Sequence, residues 1–191
     1  MKRMPMETLQ LCADLITELD QQLTRTKAIA QLPAERLLHR TDPDKWNALD
    51  VFEHLNLSSG IYLRGLERAF AEQAPSLRAT PTFTPGFIGD YSTRNMLPRA
   101  DGRLVWRMRT MRMFDPARQH GSDHESINRF IALCEGFIKL LQLAPGTDLN
   151  RMRVTSSLGP VIRFRAGDAF RFPIAHQKRH FLQIERLLAH R

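Results

Sequence analysis

Residues 46–55, WNALDVFEHL, and residues 175–188, AHQKRHFLQIERLL, decide how this chain folds. In the second stretch His176 and His180 are four residues apart, so on a helix their imidazoles leave one face about a turn from each other. At 100° per residue they share an arc with Ile184 and Leu187, the arc an amphipathic helix turns toward its core. In the first stretch Asn47 and Asp50 have the form of an N-cap followed by an acid in the first turn, which satisfies orphan amides and complements the helix dipole. That predicts a helix from Asn47 to Phe70 or Ala71, ahead of Pro75. His54 lies at the margin of its apolar arc with Val51, Tyr62 and Ala69, while Glu53, Arg64 and Glu67 take the other side. Ser58 and Gly65 are small and leave room beside it. Periodicity alone keeps two roles open for three inward histidines: hydrogen-bonded core groups, or ligands to one metal in a cavity.

Working outward, Leu9, Cys12, Ile16, Leu19 and Leu23 recur at alternating steps of three and four, which predicts an amphipathic helix over 6–28. Pro33 opens a short helical turn through Leu37 and Leu38, and Asp42-Pro43-Asp44 forces a turn because the residue before proline avoids helical angles. Residues 74–120 carry Pro75, Pro81, Pro85, Pro98 and Pro116 without sustained periodicity and read as a long excursion, in which 104–106 and 108–114 supply a short helix or strand. Ser122-Asp123-His124-Glu125 has the form of a capping box, so a third long helix is predicted from Asp123. Its stripe of Ile127, Phe130, Ile131, Cys134, Ile138 and Leu141 stops before Pro145-Gly146. His120 and His124 straddle that helix start and read as loop and cap residues. A second connection over 145–167 holds an extended piece at 161–164. Proline is best tolerated in a first helical turn, so the last helix is predicted from Pro173 to about Ala189, with a turn before it from Asp168. Four amphipathic helices joined by very unequal connections make an all-α four-helix bundle with a long crossover connection, in a single domain over 1–191.

Composition agrees with a globular chain. Of its 191 residues 42% are hydrophobic and 25% charged, which sets aside disordered and collagen-like sequence. No run of about 18 apolar residues suggests a membrane span, and no secretory leader is evident, so a cytoplasmic location is expected. Cys12 and Cys134 both fall in apolar helical stripes, as buried reduced thiols do. The formal charge is +8. Much of it comes from Arg94, Arg99, Arg103, Arg107, Arg109, Arg112 and Arg118, against only Asp101 and Asp115 in the same segment. A basic rim that attracts a polynucleotide is one reading of Arg94–Arg118. A solvated Arg-rich loop is the favoured one, because no nucleic-acid-binding motif accompanies the charge.

Trp46 followed eight residues later by His54-Leu55 resembles the helix-two signature of the DinB/YfiT-like metal-binding superfamily. The C-terminal pattern of His176, three residues, His180 and then Gln183-Ile184 resembles its helix-four signature, and SSLGPVIRFRAGDAFRF at 156–172 is similar to the family's approach to that helix. The order and separation of these parts match over most of the chain. The resemblance implies a four-helix bundle with a three-histidine metal site at His54, His176 and His180. It also implies one divalent transition metal, nickel, zinc, iron or manganese, and a homodimer. Several members of the superfamily are thiol-dependent enzymes, among them bacillithiol S-transferases, mycothiol-dependent maleylpyruvate isomerases and a domain of sulfoxide synthases.

Three neutral imidazoles suit borderline transition metals and leave a coordination position open. An ion there lowers the pKa of bound water to about 7, or holds a thiol as thiolate. The expected function is therefore a metal-dependent S-transferase or hydrolase acting on a small molecule, with a low-molecular-weight thiol as a candidate co-substrate. The alternative from another class is a non-catalytic bundle stapled by its metal. Asp50, one turn before His54, is the nearest sequence candidate to hold that ligand's second nitrogen, although its position also fits a plain helix N-terminal acid. Arg179 and Gln183 flank His180, where packing or solvation explains them equally well. No catalytic acid or base is assigned.

Overall fold

A computed structural model describes residues 3–99, 110–159 and 161–189. It is mostly helical. Six α-helices are present among the described residues: α1 Thr8–Ala30, α2 Ala34–Leu38, α3 Ala48–Glu72, α4 Phe87–Met96, α5 Glu125–Leu143 and α6 Ala166–Ala189. Two small antiparallel sheets pair β1 Met6–Glu7 with β2 Thr82–Phe83, and β3 Arg153–Thr155 with β4 Arg163–Arg165. The all-α expectation omitted both sheets.

The long helices pack through the stripes that their sequences carry. α3 lies against α5 and α6, and α1 lies against the same two. Phe52 on α3, Phe130 on α5 and Phe181 on α6 meet at ring separations of 5.4 to 6.2 Å, favourable tilted and edge arrangements that tie three helices at one level. Phe170 performs the same service further along, against Phe70 and Phe137. Cys12 and Cys134 are buried free thiols, and burial pushes the Cys12 thiol up to about 11 and raises Cys134 as well. Both are inert at neutral pH.

Several sequence expectations need correction. Leu9 is exposed, and the chain before Thr8 pairs with Thr82–Phe83 instead of extending α1. Glu53 is buried on the α3–α5 side, where Arg129 holds it at 2.8 Å. α5 does not start from a Ser122–Glu125 box. Asp123 and Ser126 make the reciprocal pair, with Ser126 N–H donating to Asp123 Oδ1 and Asp123 N–H donating to Ser126 Oγ, while the Ser122 hydroxyl donates to Asp50 Oδ1 at 2.6 Å. α6 begins at Ala166, so Pro173 sits inside it rather than at its start. The Ala169 carbonyl thereby loses its usual amide partner, at a point where Pro173 lines a cavity.

The excursion at 74–120 contains α4, a helix with no usable apolar period. It turns Phe87, Ile88 and Tyr91 outward and buries Asp90, Ser92 and Thr93. Polar anchoring explains the inversion. Asp168 Oδ2 accepts from the Gly86 amide at 2.6 Å, and Arg171 bridges Asp168 and Asp90. The α4 backbone comes so close that a Cβ at Gly89 would stand 2.4 Å from the Asp168 carboxyl carbon. Residues 112–114 form a single 3-10 turn, and the piece expected at 104–106 and 108–109 lies outside the described residues.

Candidate metal centre

His54 occupies the second turn of α3, and the N-cap and first-turn acid read from the sequence prove to be a reciprocal capping box that fixes the start of that helix. Asp50 N–H donates to Asn47 Oδ1 at 2.9 Å while Asn47 N–H donates to Asp50 Oδ2 at 3.0 Å. Asp50 is then committed to Asn47, Ser122 and Arg40, and does not hold His54. α6 brings His176 and His180 to the same place from the other side. One ring nitrogen from each of the three histidines lies within 4.8 Å of the others. His54 Nε2 is 3.4 Å from His176 Nε2, which is 3.0 Å from His180 Nε2.

The second nitrogens determine what faces this point. His54 Nδ1 donates to the Phe114 carbonyl at 2.8 Å, and His180 Nδ1 donates to Gln183 Oε1 at 2.9 Å. In both rings the proton is on Nδ1, so Nε2 carries a lone pair. His176 Nδ1 is 3.5 Å from Ser58 Oγ, whose own hydroxyl proton goes to the His54 carbonyl. His176 has an acceptor for its proton on either side, Ser58 Oγ for Nδ1 and the His180 Nε2 lone pair at 3.0 Å for Nε2. His54 and His180 thus aim Nε2 lone pairs at the point that His176 Nε2 also reaches, a donor set that suits a cation.

Spacing agrees with that chemistry. Two nitrogens each about 2.05 Å from one tetrahedral ion stand roughly 3.3 Å apart, close to the observed 3.4 and 3.0 Å. The residues fit a borderline divalent transition metal.

The electrostatics keep all three rings neutral, the form a metal requires. Desolvation lowers His54 and outweighs the Phe114 carbonyl and Asp115, which pull the other way. Burial and the neighbouring imidazoles bring His176 well below 6.5. His180 falls to about 3, chiefly from burial. His176 and His180 keep an edge open to the cavity, yet protein surrounds the rest of each ring. These directions fix the acid response of the metal-free protein. An unfolded histidine gains its proton near pH 6.5 while these three resist it, so the unfolded state binds more protons and stability must fall as pH drops below 6.5. Each pH unit well below that value costs about 1.4 kcal/mol for every ring that stays neutral. Urea midpoints of chelator-treated protein should decline from pH 6.5 to 5, with a shallower decline in His180→Gln. Equal slopes would contradict the assignment.

The surroundings explain why the sequence pattern has its particular residues. Trp46 lies over His54 with ring centroids 5.0 Å apart, and Phe172 stacks parallel to His176. Beside the histidines is a cavity of about 100 Å³, walled by Ser58, Tyr62, Met96, Phe114, Leu158 and Phe172 among others. Tyr62 is pinned through its hydroxyl to Ser156 and Ser157. Ser58 lines the cavity as expected. Gly65 does not, since it faces Val154 of β3. His120 and His124 are exposed near the start of α5 and take no part in the cluster.

Sequence reasoning missed the Phe114 carbonyl, because a backbone acceptor supplied by an irregular loop leaves no side-chain signature. Gln183 was visible as a neighbour of His180, one turn on, but only coordinates show it accepting from that ring.

The sequence model of the DinB superfamily matches residues 18–184, and the chain belongs to that superfamily. No curated protein and no solved structure gives a match.

Proposed function

We propose that this protein is a metal-dependent enzyme in which His54, His176 and His180 hold one divalent transition metal, nickel, zinc, iron or manganese, for S-transfer or hydrolysis of a small molecule. The observation that carries this reading is the convergence of three Nε2 atoms on one point at the wall of a cavity. Such an ion, when bound, supplies a thiolate or hydroxide at neutral pH.

The chain's own contribution is positioning. Phe114, Gln183 and Ser58 fix the ring orientations, as outer partners of metal ligands do. Met96, Leu158 and Phe172 present apolar surface that limits water beside the triad. No Asp, Glu, Lys or Cys is among the described residues of the cavity wall. That composition suits a nucleophile activated by the metal, a thiolate or a hydroxide, which attacks without a protein general base. In this reading residues 1–191 act as one domain, α1, α3, α5 and α6 make the four-helix bundle, and the protein works as a cytoplasmic homodimer.

The Arg94–Arg118 segment receives little support as a polynucleotide surface. Arg94 pairs with Asp90 and Arg118 with Asp115, while Arg103, Arg107 and Arg109 lie outside the described residues. Among the described residues no helix is long and apolar enough to cross a membrane.

The test is elemental analysis of the purified protein, then a screen of thiols against electrophiles and esters with the metal found. Turnover that chelation stops and metal restores is the expected outcome. Chelation that lowers the melting temperature, with no conversion of any substrate, would instead identify the non-catalytic, metal-stapled bundle.

A further inference from the structure

Arg179 precedes His180 on α6 and is half-buried. Its Nη1 lies 3.9 Å from the sulfur of Met96, a weak acceptor, and no carboxylate pairs with it among the described residues. Two other arginines are differently placed. Arg171 is held between Asp90 and Asp168, and even the more exposed Arg129 is held by Glu53 and Asp123. A guanidinium brought part-way out of water without a counter-charge is a cost that a fold keeps where an anion arrives to meet it.

The cavities on either side indicate what arrives. Arg179, His180 and Thr110 belong to the wall of the inner cavity and also to that of a wider, open one of about 710 Å³. On the wall of the outer cavity Lys45 is already paired with Asp42 at 3.9 Å, so Arg179 is the cation that stands at the junction of the two cavities without a carboxylate among the described residues. The inner one, at about 100 Å³, is smaller than the roughly 150 Å³ that accommodates benzene, and Met96, Met111, Phe114, Leu158, Phe172 and Pro173 give it an apolar side beside the histidines and Arg179. A ligand suited to both has a short apolar body and one anionic group.

We propose that Arg179 is a specificity-determining residue that binds the carboxylate of a small organic acid, whose apolar part enters the cavity beside the histidines. This deepens the functional reading above and rests on its placement of substrate at that cavity. The planar fork of arginine matches a carboxylate through two parallel hydrogen bonds, which lysine cannot reproduce.

Butyrate and its neutral isostere butyramide are the probes, titrated by NMR into the full chain with and without chelator. Wild type is expected to bind butyrate at least about tenfold more tightly than butyramide, as a hydrogen bond to a charged group gives. Arg179→Gln should remove that preference while butyramide affinity, metal content and melting temperature stay the same, and Arg179→Lys should keep only part of it. Equal binding of the two probes by wild type, or a preference that survives in Arg179→Gln, overturns the proposal. Loss of the preference on chelation alone, with Arg179→Gln behaving as wild type, assigns the anion to the metal and also overturns it. A protein that takes up no metal but keeps an Arg179-dependent preference sinks the metal reading and leaves this one standing.

Discussion

Replacing His176 by alanine is expected to reduce bound metal from about one ion per chain to near zero, with at least a hundredfold loss of affinity. His176 is the ring whose Nε2 is within 3.4 Å of both others, so its loss leaves two donors on different helices with no nitrogen joining them. Alanine at His54 or His180 should act nearly as strongly. A graded series follows from the second nitrogens. Gln183→Ala deletes the acceptor that keeps the His180 proton on Nδ1, and losing such a partner typically costs about 10- to 100-fold in metal affinity. Competition titration against a chromophoric chelator, with elemental analysis of each variant, orders the series. The metal-free protein should behave oppositely. Each alanine removes a buried imidazole that resists protonation, so the variants should tolerate acid at least as well as wild type. Undiminished metal in His176→Ala would remove the centre altogether.

The histidine cluster was legible in the sequence because two of its members are a helical turn apart and the third follows a capped helix start. Both are local facts, set by helical periodicity and by the Asn47–Asp50 box. What stayed hidden depends on chain segments far apart. Phe114 reaches His54 across 60 residues, Met6–Glu7 finds its strand partner beyond residue 80, and α4 buries its polar side. The spacing of apolar residues cannot report a helix held by charge, and a proline cannot announce that its helix began well before it. Trp46 was conspicuous as part of a family pattern, but its physical reason, a ring laid over His54, belongs to the tertiary structure.

Asp168→Asn is expected to destabilise the protein by about 3 to 5 kcal/mol, the usual consequence of removing one member of a buried charge network. In a chain of this size that is roughly a 10 °C fall in melting temperature. Asp168 is 0% exposed and accepts from two donors, Gly86 N–H on one oxygen and Arg171 Nη1 on the other. Asparagine is nearly the same shape, yet it must turn an amide N–H toward one of those donors. Arg171 would then depend on Asp90 alone, and Asp90 is already shared with Arg94. Burial pushes the Asp168 carboxyl above its ordinary 3.8, a shift that the Gly86 amide and Arg171 oppose. The charge is therefore costly to bury, and its return is specificity, because it fastens the start of α4 to α6. α4 ends at Met96, on the cavity wall beside Arg179. Amide exchange should accordingly quicken over 86–96 in Asp168→Asn before the buried helices respond, and cavity binding should weaken with it. If exchange rises uniformly along the chain, α4 is not separately anchored, and the network serves global stability alone.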